Sequence, residues 1–431
     1  MSTRPTCALV LLCVVQGCER FAFFAMLPLF VLYLHHRHGL GEPTALLILG
    51  VFNGLSYVSG LPGGMLTDRK LGPAVGLIMG ASLLTAGYGA LATDRSPLLW
   101  PACALLVLGH GLFRPGMATL LGALFSSRDS RREHGFLWQY LAVNIACVVG
   151  PLCAGSVLGA HRWRGLFLLA TAAMLVGALI LTLWTRVLGP SPQPPATDAG
   201  SSAAAANPTT RWRAVWLLCT LAVVFWLTAL QAGGSLALFA EEYTLRNVIV
   251  LGRSMAIGPT QFASLHGLLV LALLPLFLVS ATCRRRRPAE PSTPVKMVWG
   301  YVVTAAAFIL LAAAGLHGGD TSHVSPGWLT GCYLLLSVAE LLLGPFGMSL
   351  VTQIAPPNRT GQAVGLWFAT ATMGNVAAGG LGLLWGRWPN HRYFALLALA
   401  SLGAAVVLLT RLSLLERLIN ASRTNPQGGR R

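Results

Sequence analysis

Residues 7–34 read CALVLLCVVQGCERFAFFAMLPLFVLYL, an apolar run that is interrupted by one charged pair, Glu19-Arg20. The run is longer than the ~20 apolar residues that a helix needs to cross a bilayer. Two ionisable groups inside such a helix cost several kcal/mol unless they face each other or a polar cavity. The pair therefore indicates either a functional site at membrane depth or a self-neutralised pair that only fixes helix packing.

The rest of the chain is equally apolar: 55% of its 431 residues are hydrophobic and 10% are charged, against about 25% charged in soluble domains. The net charge of +17 could suggest nucleic-acid binding. Most Lys and Arg, however, fall on one side of the predicted membrane, in clusters at Arg69-Lys70, Arg128 to Arg132, Arg284 to Arg287 and the carboxy-terminal tail. This positive-inside pattern explains the charge without nucleic acid and makes the basic side cytoplasmic.

We predict twelve membrane-spanning helices, because a lone strand in lipid cannot satisfy its backbone hydrogen bonds. The apolar spans are 7–34, 44–67, 73–92, 97–126, 134–158, 164–187, 213–242, 259–283, 294–316, 327–355, 359–386 and 393–411. The first run is too long for a cleavable signal peptide and contains the charged pair. An even number of spans places both termini on the same side of the membrane, and the basic clusters identify that side as the cytoplasm.

A segment rich in Pro, Ala and Ser divides the spans into two sets of six. We therefore expect an all-α integral membrane protein that consists of an N-terminal six-helix bundle (1–188), a cytoplasmic linker (189–212), a C-terminal six-helix bundle (213–411) and a basic cytoplasmic tail (412–431). Two six-helix halves around a polar cavity are typical of the major facilitator superfamily. The turn GGMLTDRKLG at 63–72 resembles the loop motif of that superfamily, which implies conformational gating by Gly64, Asp68 and Arg69.

Several spans also resemble one family, the proton-coupled oligopeptide transporters (the POT or peptide/nitrate family). In the first span, Gln16-Gly17-Cys18-Glu19-Arg20-Phe21-Ala22-Phe23-Phe24 is similar to Glu-x-x-Glu-Arg-Phe-x-Tyr-Tyr. The fourth and fifth spans contain counterparts of Gly-x-Gly-x-x-Lys-Pro (109–115) and Phe-x-x-x-Tyr-x-x-x-Asn (136–144). Related segments lie in the seventh, tenth and eleventh spans at 225–235, 339–349 and 365–375. The resemblance, to an atypical Gln-x-x-Glu-Arg variant, implies import of di- and tripeptides with protons by alternating access.

The resemblance implies a proton-coupling group of Glu19, Arg20 and Arg114. Arg114 is the other buried cation predicted in the amino-terminal half. A carboxylate that Arg20 and Arg114 both hold would stay ionised until a competing anion, such as the terminal carboxylate of a peptide, takes the cations away. Glu340, the sole mid-span carboxylate predicted in the carboxy-terminal half, would suit the ammonium group of a peptide. The substrate-binding residues implied by the family are Phe24, Tyr57, Arg114, Asn144, His266, Glu340 and Trp367.

The chain also departs from the family pattern at several acid or base positions. These departures are Gln16 for glutamate, Leu27 for arginine, Arg114 for lysine, Leu230 for glutamate, Phe23-Phe24 for tyrosines and His266 for asparagine. They leave open a family member that carries another small anion or a peptide-like metabolite, with or without proton coupling. A non-transporting membrane sensor or scaffold is a third hypothesis, although retained buried charges argue against it.

Other features favour neither an enzyme nor a cofactor-binding protein. The sequence contains no nucleotide-binding loop, nucleophile elbow or regular metal-ligand spacing, and its nine cysteines lie almost all in apolar spans. We interpret His110, between two glycines, as structural, and His35 to His38 as a solvated loop. The expected partners are a small peptide, protons and the lipid bilayer of a bacterial inner membrane, with the protein as a monomer.

Overall fold

The computed structural model describes residues 4–124, 131–157, 163–188, 208–245, 247–250, 253–284, 291–318, 322–355 and 360–423. Within these ranges the regular structure is helical apart from one short β-hairpin. In the described part of the chain, ten helical segments are long and apolar enough to cross a membrane, and a shorter apolar helix runs from Pro259 to Pro275. The prediction of an all-α, multi-pass membrane protein is confirmed.

The described residues before the linker form helices α1 to α7, whose limits agree closely with the first six predicted spans. The helices are α1 (Arg4–Leu32), α2 (Glu42–Val58), α3 (Gly60–Leu66), α4 (Pro73–Ala92), α5 (Leu99–Ala123), α6 (Arg131–Val157) and α7 (Trp163–Leu188). Helices α2 and α3 together make up the second predicted span. Helices α1 and α3 each continue into a π-helical turn, at Tyr33–Arg37 and Thr67–Leu71.

The described residues after the linker begin with a broken helix. Helix α8 (Pro208–Ala229) passes through a 3₁₀ turn (Leu230–Gly233) into α9 (Ser235–Glu242). The antiparallel strands β1 (Asn247–Val250) and β2 (Arg253–Ala256) follow, with Val250 opposite Arg253. The remaining helices are α10 (Pro259–Arg284), α11 (Thr293–Gly318), α12 (Pro326–Ile354), α13 (Thr360–Gly382), α14 (Asn390–Thr410) and α15 (Leu412–Arg423). The hairpin and α15 were not predicted.

The chain contacts define two compact units. The first is Met1–Thr197 with Arg246–Leu271, and the second is Asp198–Leu245 with Ala272–Arg431. The first unit thus includes the hairpin and the beginning of α10, which packs closely on α6: a Cβ at Gly267 would lie 3.1 Å from Cys147 Sγ. The sequence assigned this segment to the second bundle, and its bundle limits of 188 and 213 stay a prediction.

The predicted linker extends too far, because its last five residues begin α8. Residues 189–207 lie outside the described part of the chain. Arg211 is 3% exposed and its Nη1 lies 3.3 Å from the carbonyl oxygen of Ala355, at the carboxyl end of α12. The last carbonyls of a helix have no partner within it, so a cation there is favourable. The second unit therefore contains a buried cation that the sequence analysis assigned to the linker.

The predicted tail is likewise not simply a basic extension. Its first part is the amphipathic helix α15, which packs Leu415, Leu418 and Ile419 into the apolar core formed by α8 and α11 to α14. Ser292 Oγ donates a 2.6 Å hydrogen bond to Glu416 on the polar face of α15. The mixture of charged and apolar residues concealed a helical period, and burial of one face fixes the helix.

Close backbone packing holds α5 in place within the first unit. A Cβ at Gly109 would lie 2.7 Å from the side chain of Leu84 on α4. On another side of α5, a Cβ at Gly111 would lie 2.7 Å from the carbonyl oxygen of Ser59, between α2 and α3, and one at Gly63 would overlap the carbonyl of Gly111. Small residues allow this approach in membrane helices. The α5 side chains that face the rest of the unit are therefore firmly positioned.

Candidate functional site

Glu19, in the middle of α1, is the centre of the candidate site. Its carboxylate is fully buried, and both oxygens accept hydrogen bonds from the guanidinium of Arg20. Gln16, one turn earlier on the same face, donates from Nε2 to Glu19 Oε2 at 3.0 Å. Charge-assisted and bidentate bonds of this kind offset the cost of burying a carboxylate. The predicted Glu19–Arg20 pair is thus a real ion pair that other polar groups extend.

His110 approaches the same carboxylate from α5. Its Nδ1 lies 3.0 Å from Glu19 Oε1, and both side chains are fully buried. The ring of Phe23 stands edge-on at 5.4 Å between centroids. His110 Nε2 has no hydrogen-bond partner among the described residues. Our structural interpretation of His110 missed this contact. The sequence signal for this contact was the pair of glycines that flank His110. Successive residues on a helix are 100° apart, so Gly109 and Gly111 face different neighbours, and α5 packs closely against an adjacent segment at each of them.

Gln139 of α6 completes a line of hydrogen bonds that leads to Glu19. Its Nε2 donates to Gln16 Oε1 at 3.3 Å, while Gln16 donates to Glu19 from its other amide atom. An ionised glutamate at position 16 could not make that second bond, because it has no donor. The replacement of the usual glutamate by Gln16 therefore supports the remaining carboxylate. Gln139 had been treated as a spacer in the fifth-span motif.

Arg114 does not hold Glu19, so the predicted double clamp of Arg20 and Arg114 is wrong in its second half. Arg114 Nη1 donates to the carbonyl oxygen of Ser56 at 3.2 Å, and the guanidinium carbon lies 4.5 Å from the centre of the Tyr57 ring. Its Nε and Nη2 are buried, without hydrogen-bond partners in the described structure. The carboxylate already has other donors, which explains why Arg114 turns to a backbone carbonyl and an aromatic face.

We call this group the Glu19 cluster; its members are Gln16, Glu19, Arg20, His110, Arg114 and Gln139. Of the predicted substrate-binding residues, Phe24 and Tyr57 border it, with the Phe24 ring 5.9 Å from the Arg20 guanidinium. Asn144 is buried on α6, but its Nδ2 donates to Tyr140 O of its own helix at 2.9 Å. His266 lies half-buried on α10. The cluster therefore contains three of the twelve predicted site residues, and two more border it. His110 and Gln139 are members that the sequence analysis missed.

The predicted gating residues lie at the end of α3. A Cβ at Gly64 would lie 3.5 Å from Pro115 of α5, and Arg69 is exposed. The side chain of Asp68 is outside the described part of the structure. The proximity of Gly64 to Pro115 connects this turn to the helix that holds His110.

In the second unit, Glu340 and Trp367 lie on α12 and α13. Glu340 is half-buried and Trp367 is buried. A Cβ at Gly347 would overlap the indole of Trp367, so this position on α12 requires glycine. The packing identifies Trp367 as part of the contact between these two helices, which is a structural role in addition to the predicted one.

The broken helix of the second unit holds a neutral polar centre, which we call the Gln231 network: Gln231, Ser235 and Tyr393. Gln231 Oε1 accepts bonds from Ser235 Oγ at 2.6 Å and from the hydroxyl of Tyr393 at 2.9 Å. Gln231 Nε2 donates to Leu227 O at 3.0 Å, and Tyr333 donates to Ala232 O at 3.2 Å. Side chains thus satisfy polar groups that the break exposes. Leu230, where the family has glutamate, is buried beside this network.

The stretch His35 to His38 is helical rather than a loop, although His36 and Arg37 are exposed to solvent as predicted. It forms the π-helical turn at the end of α1 and its continuation, and Arg37 makes a 2.9 Å ion pair with Asp94. His35 Nδ1 lies 2.8 Å from Leu40 O. No group of three or more possible metal ligands occurs among the described residues.

Comparison with protein families agrees with the pattern of these residues. The family model PTR2, described as "POT family", matches residues 75–215 and 201–387, which together are well over half of the chain. The chain belongs to the POT family.

Relatives of this POT-family protein extend over most of its length. The Peptide transporter YePEPT of Yersinia enterocolitica is 28% identical over 440 residues, which cover 84% of this chain and 85% of that protein. A Di-/tripeptide transporter of Lactococcus lactis subsp. cremoris is 26% identical over 418 residues, with coverage of 81% and 84%. A crystal structure of peptide transporter POT in complex with sulfate is 25% identical, with a TM-score of 0.85 over 95% of each chain. The helices described above thus form a fold of the major facilitator type.

Proposed function

We propose that this POT-family protein imports small peptides together with protons, by alternating access. The observation that carries the proposal is the state of Arg114: two buried donor atoms, Nε and Nη2, have no hydrogen-bond partner in the described structure. Buried donors without partners cost free energy. The Nε and Nη2 groups of a guanidinium form a fork that matches the two oxygens of a carboxylate. The terminal carboxylate of a peptide is the anion that this fork suits.

Charge bookkeeping links the binding of this carboxylate to a proton. With Glu19 ionised, the two arginines leave the cluster with one excess positive charge, which opposes protonation. A peptide carboxylate on Arg114 cancels the excess charge, so the cluster can accept a proton at lower cost, and the reverse coupling follows from linkage. A membrane potential of ~100 mV supplies ~2.3 kcal/mol per charge, enough for about fifty-fold accumulation.

Two further observations support a peptide rather than another anion. The relatives at 28% and 26% identity are named as peptide and di-/tripeptide transporters. Glu340 offers a carboxylate in the second unit, and we propose it as the partner of the peptide's ammonium group, on the sequence argument given above. Phe24, Tyr57, Asn144, His266 and Trp367 remain proposed substrate contacts.

The proposal includes a setting for the carrier. The chain is a multi-pass membrane protein, and we infer that it works as a monomer in a bacterial inner membrane, with both termini in the cytoplasm as the positive-inside pattern requires. The turn at Gly64, Asp68 and Arg69 would gate the cytoplasmic side. Residues 1–188 and 213–411 would form the two six-helix bundles. The proposed transport cycle needs neither an enzymatic step nor a cofactor.

Uptake into proteoliposomes tests the function directly. The purified protein is reconstituted, and the entry of labelled di- and tripeptides is measured with an inward proton gradient, without a gradient, and with a protonophore. We expect accumulation under the gradient and only equilibration in the other two conditions. Arg114→Ala, reconstituted to the same density, is the matched control and should not accumulate peptide.

The alternatives predict different results in the same assay. Entry of peptides that does not depend on the gradient would indicate facilitated diffusion. Competition by other small anions without any peptide entry would favour an anion carrier. Absence of both would leave the sensor or scaffold hypothesis and overturn the proposed function.

A further inference from the structure

His110 is the titratable member of the Glu19 cluster that the proposed function does not use. We propose that His110 is a second proton-handling residue of the transport cycle, which passes a proton to and from Glu19 at their contact between Nδ1 and Oε1. This inference rests on the proposed function and deepens it by assigning a proton route.

The geometry places the imidazole for this task. Its Nδ1 lies 3.0 Å from Glu19 Oε1, within ion-pair distance, and both ring nitrogens are buried without a hydrogen bond to any described residue. A histidine that only filled space would be expected to satisfy both nitrogens, because buried polar groups without a partner are costly. One nitrogen therefore faces the carboxylate, and the other is free to accept a proton.

The position of His110 is fixed by packing rather than by its own hydrogen bonds. Gly109 lies against Leu84 of α4, and Gly111 lies against Ser59. A larger residue at either glycine would push α5 away from its neighbours and take the imidazole out of reach of Glu19. The flanking glycines thus set the distance across which a proton can move.

The proton balance of the step is simple. In the resting cluster the imidazole is neutral, with its proton on Nδ1 toward Glu19. A hydronium ion supplied by the inward proton gradient gives its proton to Nε2 and leaves water, which forms the imidazolium, and the Nδ1 proton then moves to Glu19 Oε1. The products are a neutral carboxylic acid and a neutral imidazole that carries its proton on Nε2. One proton has been bound, and no other bond changes.

The charges around the pair connect this step to substrate. Arg20 on α1 is bonded to Glu19, and Arg114 on α5 shares the Phe23 ring with His110. Like charges repel, so the two guanidinium groups oppose a positive imidazole, whereas Glu19 favours it. Tyr57 on α2, against Arg114, and Tyr88 on α4 are the titratable side chains of the neighbouring helices. An anion that binds Arg114 removes much of one opposing charge. Proton entry through His110 is thus favoured when peptide is bound, which is the coupling that symport requires.

The test replaces the imidazole by an amide in the full-length protein. His110→Asn keeps a donor near Glu19 but cannot bind and release a proton at neutral pH. We expect gradient-driven accumulation of a labelled dipeptide to fall at least ~10-fold, counterflow exchange to stay within about two-fold, and the dependence of uptake on external pH to flatten. The matched control is His317→Asn, an exposed histidine at the end of α11, which should behave like the native protein.

Each outcome decides the inference. Native accumulation and an unchanged pH profile in His110→Asn would overturn it. So would an equal loss of accumulation and exchange, because a packing defect impairs both. If His110→Asn does not fold, His110→Gln takes its place with the same expected result. Native protein that accumulates no peptide would reject the proposed function itself, and the inference with it, which distinguishes that failure from an error about His110 alone.

Discussion

The Glu19 cluster of the first unit and the Gln231 network of the second are both buried and polar, but they differ in charge. The first holds an ionised carboxylate, two guanidinium groups and a histidine. The second joins an amide to two hydroxyl groups, and the amide oxygen accepts from both. The first can therefore change its charge when a proton or an anion arrives, whereas the second is satisfied as it stands.

This difference indicates which buried polar groups of a membrane protein are expected to bind a ligand or a proton and which only stabilise the fold. A neutral network that is fully bonded repairs a break in a helix and stabilises it. A cluster that contains unpartnered donors and titratable groups retains a free-energy cost of burial, and a bound ligand or proton can remove that cost. If this distinction holds, substitutions in the cluster should change the coupling and binding of peptide, and substitutions in the network should mainly change stability.

The largest effect is expected from Glu19→Gln. Without the carboxylate, the cluster loses its main proton acceptor, so gradient-driven accumulation in proteoliposomes should disappear while counterflow exchange remains partly intact. Glu42→Gln, at the start of α2, serves as the control and should accumulate normally. A Glu19→Gln protein that concentrates peptide as well as the native one would remove Glu19 from the coupling mechanism.

The next largest effect is expected at Arg114. Arg114→Ala removes the proposed carboxylate fork, and we expect peptide affinity to fall about thirty-fold or more, since removing one partner of a buried charged contact costs about 2–5 kcal/mol. Arg114→Lys keeps the charge and should retain measurable binding. Affinities are obtained by isothermal titration with a dipeptide. Equal affinity in all three proteins would show that Arg114 only balances the charge of Glu19.

A smaller effect is expected from Glu340→Gln in the second unit. A charge-assisted hydrogen bond to an ammonium group is worth about 1.5–3 kcal/mol, so peptides with a free amino terminus should bind about ten-fold more weakly. Amino-acetylated analogues should be affected much less, and the comparison of the two ligand classes is the measurement. Equal weakening of both classes would contradict the assignment and favour the anion alternative.

The smallest effect on transport is expected from Gln231→Leu. The hydroxyl groups of Ser235 and Tyr393 would lose their acceptor, which should lower the free energy of unfolding by about 1–3 kcal/mol. Thermal unfolding in detergent should show a reduced Tm, while the pH dependence of uptake stays native. A change in proton coupling without a loss of stability would break the distinction between the two centres.

The sequence predicted the helices well because the length and hydrophobicity of an apolar run are enough to identify a membrane-spanning helix. The predicted 73–92 span coincides with α4, and most other limits differ by a few residues. The sequence also predicted that Glu19, Arg20, Phe24, Tyr57 and Arg114 are near one another, through the family resemblance. Helix α15 was not predicted because its amphipathic segment is short and contains basic residues.

The pairing inside the site could not be predicted, because it depends on how helices rotate against one another. The sequence predicted that two arginines hold the carboxylate of Glu19. In the structure Arg20 is the arginine that forms an ion pair with Glu19, and the second basic side chain in contact with it is His110. The rotation of α5 follows from backbone contacts at its glycines, which only the three-dimensional packing shows. The same holds for Gln139, which reaches the site through the orientation of α6.

The glycine contacts described for α5 also limit how this chain can change over generations. Any side chain at Gly63 would collide with the backbone of α5, and one at Gly111 with that of Ser59, so we expect selection to reject such changes. A Cβ added at Gly17, Gly365 or Gly380 would meet no atom of a neighbouring element within 4 Å. Alanine there would even favour the helix by up to ~1 kcal/mol. We therefore expect glycines of the first kind to be retained among relatives and those of the second kind to vary.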